Sequence, residues 1–463
     1  MYQRQEIFNI IELFTSQKLI NFYTKIFDSL DLSILPDRIP SKYGPNGYSR
    51  HALFRAFIVM KCEKFGKITD LKDFLENNLI IAQLCGFNIL KPLPSYSVFQ
   101  RFIKNLSNSY LKEIMKNQVN ILKELGFIDN NFISVDATPV KANTKFNNPK
   151  CFANNKFSKN NPPSSDKDCK LGVHTANNSM NVQVSEDKPN NSKKKYEFYW
   201  GYKNHVICDA ISGLPIAEFT TTADVNEISN FTEILSDTNE WFPLKGSYII
   251  ADKGYDSKQN HDFIRNTLKG HAFIALNKRG RKPKDLTSTG NVICDAGLAM
   301  HKDGKQYFDS YIKQKFCCPF RTSKDDSLCP CNHEKFFNGK KNRGCVKYIS
   351  IGTDYRSSIN RDSIFFKKIY SLRTESERYN SRWKNLNTEQ AYVKNINSVA
   401  NLNTIGHICL LTIAIAAIKS GCVDKYKSLS GLKGQLKLSY IKIFKHQFHQ
   451  GDSLPFFVSF ISI

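Results

Sequence analysis

Tyr370-Ser-Leu-Arg373-Thr-Glu-Ser-Glu377-Arg-Tyr-Asn-Ser-Arg-Trp-Lys384 follows the pattern Y-x2-R-x3-E-x6-K. Each residue of an α-helix advances about 100° around the axis. With Tyr370 at zero, Arg373 falls near about −60°, Glu377 near about −20° and Lys384 near about −40°. The four side chains then share one narrow stripe, with a carboxylate set among cations and a phenol. Such a stripe suits a metal ion and a phosphodiester backbone together. Glu375 falls near about 140°, on the opposite face, so helical geometry singles out Glu377 as the functional carboxylate. Charged residues at helical spacing are commonly a solvated face with weak ion pairs, and the rest of the chain decides between the two readings.

Two upstream segments bear on it. Asn131-Phe-Ile-Ser-Val-Asp136-Ala-Thr-Pro-Val140 has the apolar, β-branched character of a strand running into an aspartate, with Pro139 expected to end regular pairing. Ser247-Tyr-Ile-Ile-Ala-Asp252-Lys-Gly254 is a second short apolar strand ending in aspartate. A strand-end Asp near a Gly is often only a turn residue. Two such aspartates plus a helix-borne glutamate are, however, what a two-metal site needs. Hard divalent cations take carboxylate oxygens, and a pair of them can activate an attacking oxygen and stabilise a leaving one.

Asp136, Asp252 and Glu377, with the Y-x2-R-x3-E-x6-K helix, resemble the DDE transposases of bacterial insertion sequences. Phe198-Tyr-Trp-Gly-Tyr-Lys-Asn-His205-Val-Ile-Cys-Asp209, Ser212-Gly-Leu-Pro215 and Ala223-Asp-Val-Asn226 look like the family's hairpin between the first two acids. Tyr43-Gly-Pro-Asn-Gly-Tyr-Ser-Arg-His-Ala-Leu-Phe-Arg55, Leu84-Cys-Gly-Phe and Pro94-Ser-Tyr-Ser-Val-Phe-Gln-Arg101 look like its N-terminal helical domain. The resemblance implies an α/β, ribonuclease-H-like mixed-sheet core with an N-terminal helical DNA-binding domain. It implies Asp136, Asp252 and Glu377 as catalytic residues and Mg²⁺ ligands, with Mn²⁺ as a substitute. It also implies DNA-backbone contacts from Tyr370, Arg373 and Lys384. The expected partners are double-stranded DNA, as terminal inverted repeats and target, and a second copy of the chain in the DNA complex. A metal-dependent nuclease without strand transfer shares the same acids. A non-catalytic DNA-binding repressor descended from such an element is the reading from another class.

Composition agrees with a nucleic-acid partner. The 463 residues carry a net charge of +24 and are 41% hydrophobic, enough for two or three domains with real cores. A surplus of that size points to a polyanion, DNA first, although abundant Lys and Asn also reflect AT-rich coding. The N-terminus Met1-Tyr-Gln-Arg-Gln-Glu is polar, and 13 cysteines without a secretion signal fit reduced thiols. A cytoplasmic, nucleoid-associated location without membrane contact is expected. The most apolar stretch, residues 405–418, falls short of the roughly 20 residues that span a bilayer and is expected as a buried core helix, with His407 a packed core histidine.

The expected domains are 1–115, helical and helix-turn-helix-like; 116–290, the first part of the catalytic core, with a polar insertion at 142–195; 291–348, a cysteine-rich insertion; 349–425, the second part of the core with the Glu helix; and 426–463, a tail of unassigned role. In the first, Ser49 or Tyr48 opens a helix through Lys64, Thr69 has capping character and Ser95 starts another helix. The polar insertion is too poor in apolar residues to fold alone. His205–Asp209 and Leu214–Thr220 pair as a hairpin, Ser257 begins a helix to about Leu268, and His271–Leu276 is a strand. Lys278-Arg279-Gly-Arg281-Lys282-Pro-Lys284 is a basic loop, with Lys278, Arg279, Arg281 and Lys282 candidates for backbone contacts. Cys294, Cys317, Cys318, Cys329, Cys331 and Cys345 cluster around His333. Their spacing departs from zinc-finger pairs; Cys318, Cys329, Cys331 and Cys345 form the best candidate set for a structural zinc.

Overall fold

The computed structural model describes residues 19–37, 47–176, 195–277, 292–308, 312–320, 344–351 and 355–435. The chain divides into two compact units, one of Met1–Leu122, Leu386–Thr388 and Asn401–Ile463, the other of Lys123–Asn385 and Glu389–Ala400. Asn401 onward, expected with the catalytic core, therefore groups with the N-terminal helices.

The first unit is helical in its described residues. Helices α1 (Arg50–Cys62), α2 (Ile68–Asn77), α3 (Leu79–Cys85), α4 (Tyr96–Asn105) and α5 (Asn108–Glu124) follow one another in the chain. Ser49 caps α1 by accepting from the Ala52 amide, as its position suggests. Thr69 is not a cap: α2 begins one residue earlier, after Lys67. On α4, Phe99 and Ile103 are buried while Arg101 and Lys104 face solvent. A long helix, Ile396–Lys419, spans 24 residues with mean hydropathy 1.7. It is long and apolar enough to cross a membrane, but 94% of its apolar window is buried within the protein. Its Asn401 amide donates to the Ile103 and Leu106 carbonyls, both at 2.8 Å. Burial drives the His407 imidazole down to about 3, so it is neutral.

The second unit is built on a six-stranded mixed sheet. Its strands are β1 (Phe132–Lys141), β2 (Lys170–Ala176), β3 (Lys195–Asp209), β4 (Pro215–Thr222), β5 (Tyr248–Ala251) and β6 (His271–Ile274). The order β2-β3-β1-β5-β6 is antiparallel as far as β1 and parallel beyond it, with β4 also paired to β3. Helix α6 (Glu227–Trp241) precedes β5, and α7 (Lys258–Asn266), capped by Ser257, precedes β6. A mixed α/β unit with this sheet is compatible with a ribonuclease-H-like core.

The expected hairpin forms, with His205 opposite Phe219 and the turn held by Asp209. Its carboxylate accepts from the Ile211 and Ser212 amides at 2.7 and 3.0 Å, and Gly213 takes a positive φ of 65°. Where β3 crosses β1, Gly201 has no room for a side chain: a Cβ would stand 2.1 Å from the Val140 carbonyl oxygen.

Pro139 does not end β1. It lies opposite Lys203, and pairing runs on to Lys141. The reason is which edge its nitrogen faces. Ala142 donates to Trp200 of β3 while Lys141 donates to Glu389, so odd-numbered residues here point their N–H away from β3. Pairing with β5 has stopped at Val135, and a proline there removes no ladder bond.

The polar insertion is also partly folded. Asn147 exchanges bonds with the Trp200 backbone, donating at 2.7 Å and accepting at 2.9 Å. The buried Asp166 accepts from the Tyr202 hydroxyl at 2.9 Å. These side-chain bonds to aromatic residues of β3 replace the apolar surface that the segment lacks.

Within the cysteine-rich insertion, β7 (His301–Tyr307), β8 (Ile312–Cys317) and β9 (Val346–Ile351) make a three-stranded antiparallel sheet. Cys294, Cys318 and Cys345 pack with Val292, Met300 and Phe316 in one buried apolar cluster. Cys329, Cys331 and His333 lie outside the described residues, so the four-thiol set is not tested.

Candidate active site

β1 and β5 run parallel, and their last paired residues are Val135 and Ala251. Asp136 and Asp252 come next on each chain. Neighbouring parallel strands lie about 4.8 Å apart, so the sheet carries the two aspartates side by side although they stand 116 positions apart in sequence. Asp136 stays within β1, and one of its carboxylate oxygens accepts from the Ala137 amide at 2.9 Å. Asp252 leaves the sheet and caps a short 3-10 turn, Lys253–Tyr255, accepting from the Lys253 amide at 2.6 Å.

The third carboxylate arrives on a separate helix. After the short α8 (Tyr355–Ser358), the signature divides between α9 (Ile364–Ser371) and α10 (Arg373–Lys384). The two helices meet at Leu372, so Tyr370 does not share a continuous helix with the other three residues. α9 lies on the sheet through Phe366, stacked on Phe273 with ring centroids 5.4 Å apart. Tyr370 stacks on Phe366 in turn, and the Arg373 guanidinium lies 5.8 Å from the Tyr370 ring centre. The break therefore leaves Tyr370 beside Arg373.

α10 packs across β1 on a buried face of Ser376, Tyr379, Asn380 and Trp383. Aromatic side chains of this size bury about 150–250 Å², on the order of 4–6 kcal/mol each as an upper bound at about 25 cal/mol per Å². Exposed ion pairs contribute about 1 kcal/mol or less. Tyr379 and Trp383 therefore set where the helix lies, and its charged residues are carried to their places. Two polar contacts fix its azimuth: Asn380 donates to Asp136 Oδ2 at 2.8 Å, and Arg382 donates to the Gly213 carbonyl at 2.7 Å.

Glu377 sits one turn before Asn380, half exposed, with its carboxylate 2.7 Å from the Arg373 guanidinium. Glu375 is turned elsewhere, paired with Arg378 and mostly covered. Burial works against the Arg373 charge, but Tyr370, Glu377, Asp252 and Asp136 all hold it, and its proton is bound more tightly than usual. The Tyr370 phenol is pushed up, by burial first and then by Asp252 and Glu377 against the opposing pull of Arg373. One guanidinium thus stands in the field of all three acids. Lys384, at the end of α10, pairs with Glu389 at 2.9 Å near the surface.

Among the described residues no group of three His, Cys, Asp or Glu side chains stands close enough to hold a metal ion. Glu377 is engaged by Arg373 rather than by a site shared with the aspartates. The donor chemistry nonetheless fits a hard divalent cation: three carboxylates around a cation already drawn to them. Lys278, Arg279, Arg281 and Lys282 lie outside the described residues.

Two contributors escaped the sequence reading. Asn380 lies inside the signature window, and only its burial against Asp136 reveals it. The other is Asp256, fully buried four residues after Asp252. It takes two bonds from Arg356 at 2.8 and 2.6 Å, one from the Asn277 amide at 2.8 Å, and sits 2.9 Å from His261 Nε2. Burial alone would raise its carboxyl, but His261, Arg356 and the Asn277 amide hold it well below the usual carboxylate range. This node ties the turn after Asp252 to α7, to the end of β6 and to α8.

The description "Transposase DDE domain" matches residues 129–412, more than half of the chain, and "Transposase domain (DUF772)" matches residues 11–105. No curated protein sequence matches significantly. Among solved structures, the chain is similar to a piggyBac transposase in a synaptic complex with hairpin DNA, with 11% identity and a TM-score of 0.38 over 94% of this chain and 80% of that one. That likeness is too loose to bear on the site. The family match covers both aspartate-bearing strands and the Glu377 helix, and the chain belongs to the transposases with a DDE domain.

Proposed function

We propose that the protein cleaves DNA strands at the ends of its own insertion sequence and joins them to target DNA, through Asp136, Asp252 and Glu377. The observation that carries this reading is the convergence of three separate elements. Two neighbouring parallel strands present an aspartate each, and α10 crosses β1 with Glu377 and with an Arg373 that all three acids attract. Bound Mg²⁺, or Mn²⁺ in its place, would be held by the three carboxylates and would supply charge neutralisation and activation of the attacking oxygen.

The chain's own residues do the positioning. Hydrogen bonds from Ala137 and Asn380 orient the Asp136 carboxylate. Arg373 offers a planar fork suited to phosphate. A DNA phosphate arriving there competes with Glu377 for the same guanidinium, so binding of the DNA end releases Glu377 toward the aspartates. Tyr370 flanks the fork, and Lys384 adds a point charge farther along α10. The helical first unit and the basic segment Lys278–Lys284 supply further DNA contacts, and two copies of the chain act on two ends in the cytoplasm.

The test is a reaction of the full chain with Mg²⁺ and labelled DNA spanning the ends of the gene's own locus, with Asp252→Asn and a chelator as controls. Joined products that vanish in both controls support the proposal. Cleavage without joining favours the nuclease, and specific binding with no cleavage favours the repressor.

A further inference from the structure

We propose that Asn380 is a positioning residue for the Asp136 carboxylate, a neutral donor that aims this acid without discharging it; the inference rests on the reading of Asp136 as a catalytic acid. Asn380 projects from α10 one turn beyond Glu377, on the same side of the helix. It is 8% exposed, and its amide nitrogen lies 2.8 Å from Asp136 Oδ2. The Ala137 amide lies 2.9 Å from Oδ1. A donor thus addresses each oxygen of the carboxylate, which fixes the plane of the group.

The chemistry of the donor matters. A buried amide is unfavourable unless it is hydrogen-bonded. An apolar residue would pack as well on this face beside Tyr379 and Trp383, yet would leave Oδ2 without this donor. A cation would neutralise Asp136 as Arg373 does Glu377, and would compete with a metal ion. An amide orients the carboxylate and leaves its full negative charge available. Because the same helix carries Glu377, one contact sets the register of the glutamate against the first aspartate.

Ionisable groups that act on Asp136 include Arg373 on α10 and the Cys208 thiol of β3, and Cys208 in turn feels Arg382, Asp209 and Glu375. Burial keeps that thiol protonated, against the pull of Arg382. All are present in wild type, which is therefore the reference for any change in pH profile.

The experiment uses the full chain and Asn380→Leu, Asn380→Asp and Asp136→Asn. Mn²⁺ binding is followed by the paramagnetic resonance of the free ion, and cleavage of the DNA ends is followed over a pH series. Asn380→Leu should raise the half-saturating Mn²⁺ concentration and lower the cleavage rate, each by about 10–100-fold, as loss of an orienting partner does, with its urea unfolding midpoint retained. Asn380→Asp, of the same shape but without the amide donor, should also cleave about 10–100-fold more slowly at neutral pH. Should Asn380→Leu fail to fold, the Asn380→Asp rate decides. Wild-type Mn²⁺ binding and cleavage in Asn380→Leu, or wild-type cleavage in Asn380→Asp, overturns the inference. If Asp136→Asn is inactive in that case, only the role of Asn380 falls. If Asp136→Asn cleaves normally, the reading of the acids falls with it.

Discussion

Two clusters in the second unit use the same side chains in opposite proportions. Where the pairing of β1 with β5 stops, three carboxylates attract the Arg373 guanidinium, and Glu377 remains half exposed. Just past Asp252, the single buried carboxylate of Asp256 is approached by Arg356, Arg361 and His261. The first cluster sets three carboxylates against one guanidinium at a partly open surface. The second has its charge matched in the interior, and so contributes to folding. Asp252 and Asp256 are both aspartates on one loop, and their surroundings differ: one is half-buried near Arg373, the other buried among Arg356, Arg361 and His261.

The sharpest way to break this contrast is to remove one aspartate from each cluster. Asp252→Asn should abolish strand cleavage while leaving the thermal unfolding temperature unchanged or raised, because asparagine still caps the turn and one repelling charge is gone. A clear fall in that temperature would place Asp252 with the structural carboxylates. Asp256→Ala should cost about 3–5 kcal/mol in urea unfolding, since it leaves buried arginine and histidine groups without their counter-charge. A cost below about 1 kcal/mol would show that the node does not stabilise the fold.

A pH titration of stability sharpens the same division. Burial, with Lys203 adding, pushes the His205 imidazole down to about 4, so the folded protein keeps it neutral. An unfolded histidine takes its proton near about 6.5. The His205 contribution is therefore complete above about 6.5 and is lost as pH falls toward 4. Asp256 behaves as a depressed carboxylate: its contribution is complete above the unfolded value of about 4 and is lost only below it. His205→Gln should flatten the upper part of the curve and Asp256→Asn the lower part, as read by urea midpoints across pH.

The smallest effects belong to the signature cations. Arg373→Lys keeps the charge but loses the planar fork, and should slow cleavage by about 10–100-fold. Lys384→Arg should do less, and Lys384→Ala should shift stability by no more than about 1 kcal/mol, because its pair with Glu389 lies near the surface. Equal effects of Arg373→Lys and Lys384→Arg on cleavage would remove the distinction between them.

What the sequence made legible was local. The turn at Ser212-Gly213 and the caps at Ser49 and Ser257 depend on residues within a few positions of one another, whereas Asp136, expected at a strand end, lies inside β1, which runs on to Lys141. The break at Leu372 has no Gly or Pro to announce it, and it falls between a helix that packs on Phe273 and one that packs on β1. Pro139 was misread because its tolerance depends on where β5 stops, which is a property of the neighbouring strand. The polar insertion at 142–195 is too poor in apolar residues to fold alone, and its described part is held by partners on another segment, Trp200 and Tyr202. Asn380 bonds across 244 positions and Arg356 across 100, so neither could be found by spacing or periodicity.

The pairing of Val135 with Ala251 has a consequence for how such a chain can vary. Side chains alternate sides along a strand, so deleting one residue between Phe132 and Val135 would turn Asp136 to the other face of the sheet. That loss of a single codon would be as damaging as deleting the carboxylate itself. The connection from β6 to α8, by contrast, already accommodates a whole three-stranded sheet between Asp252 and Glu377. The chain between Asp252 and Glu377 thus holds a whole sheet, while the phase of Asp136 within β1 leaves no room for a shift of one residue.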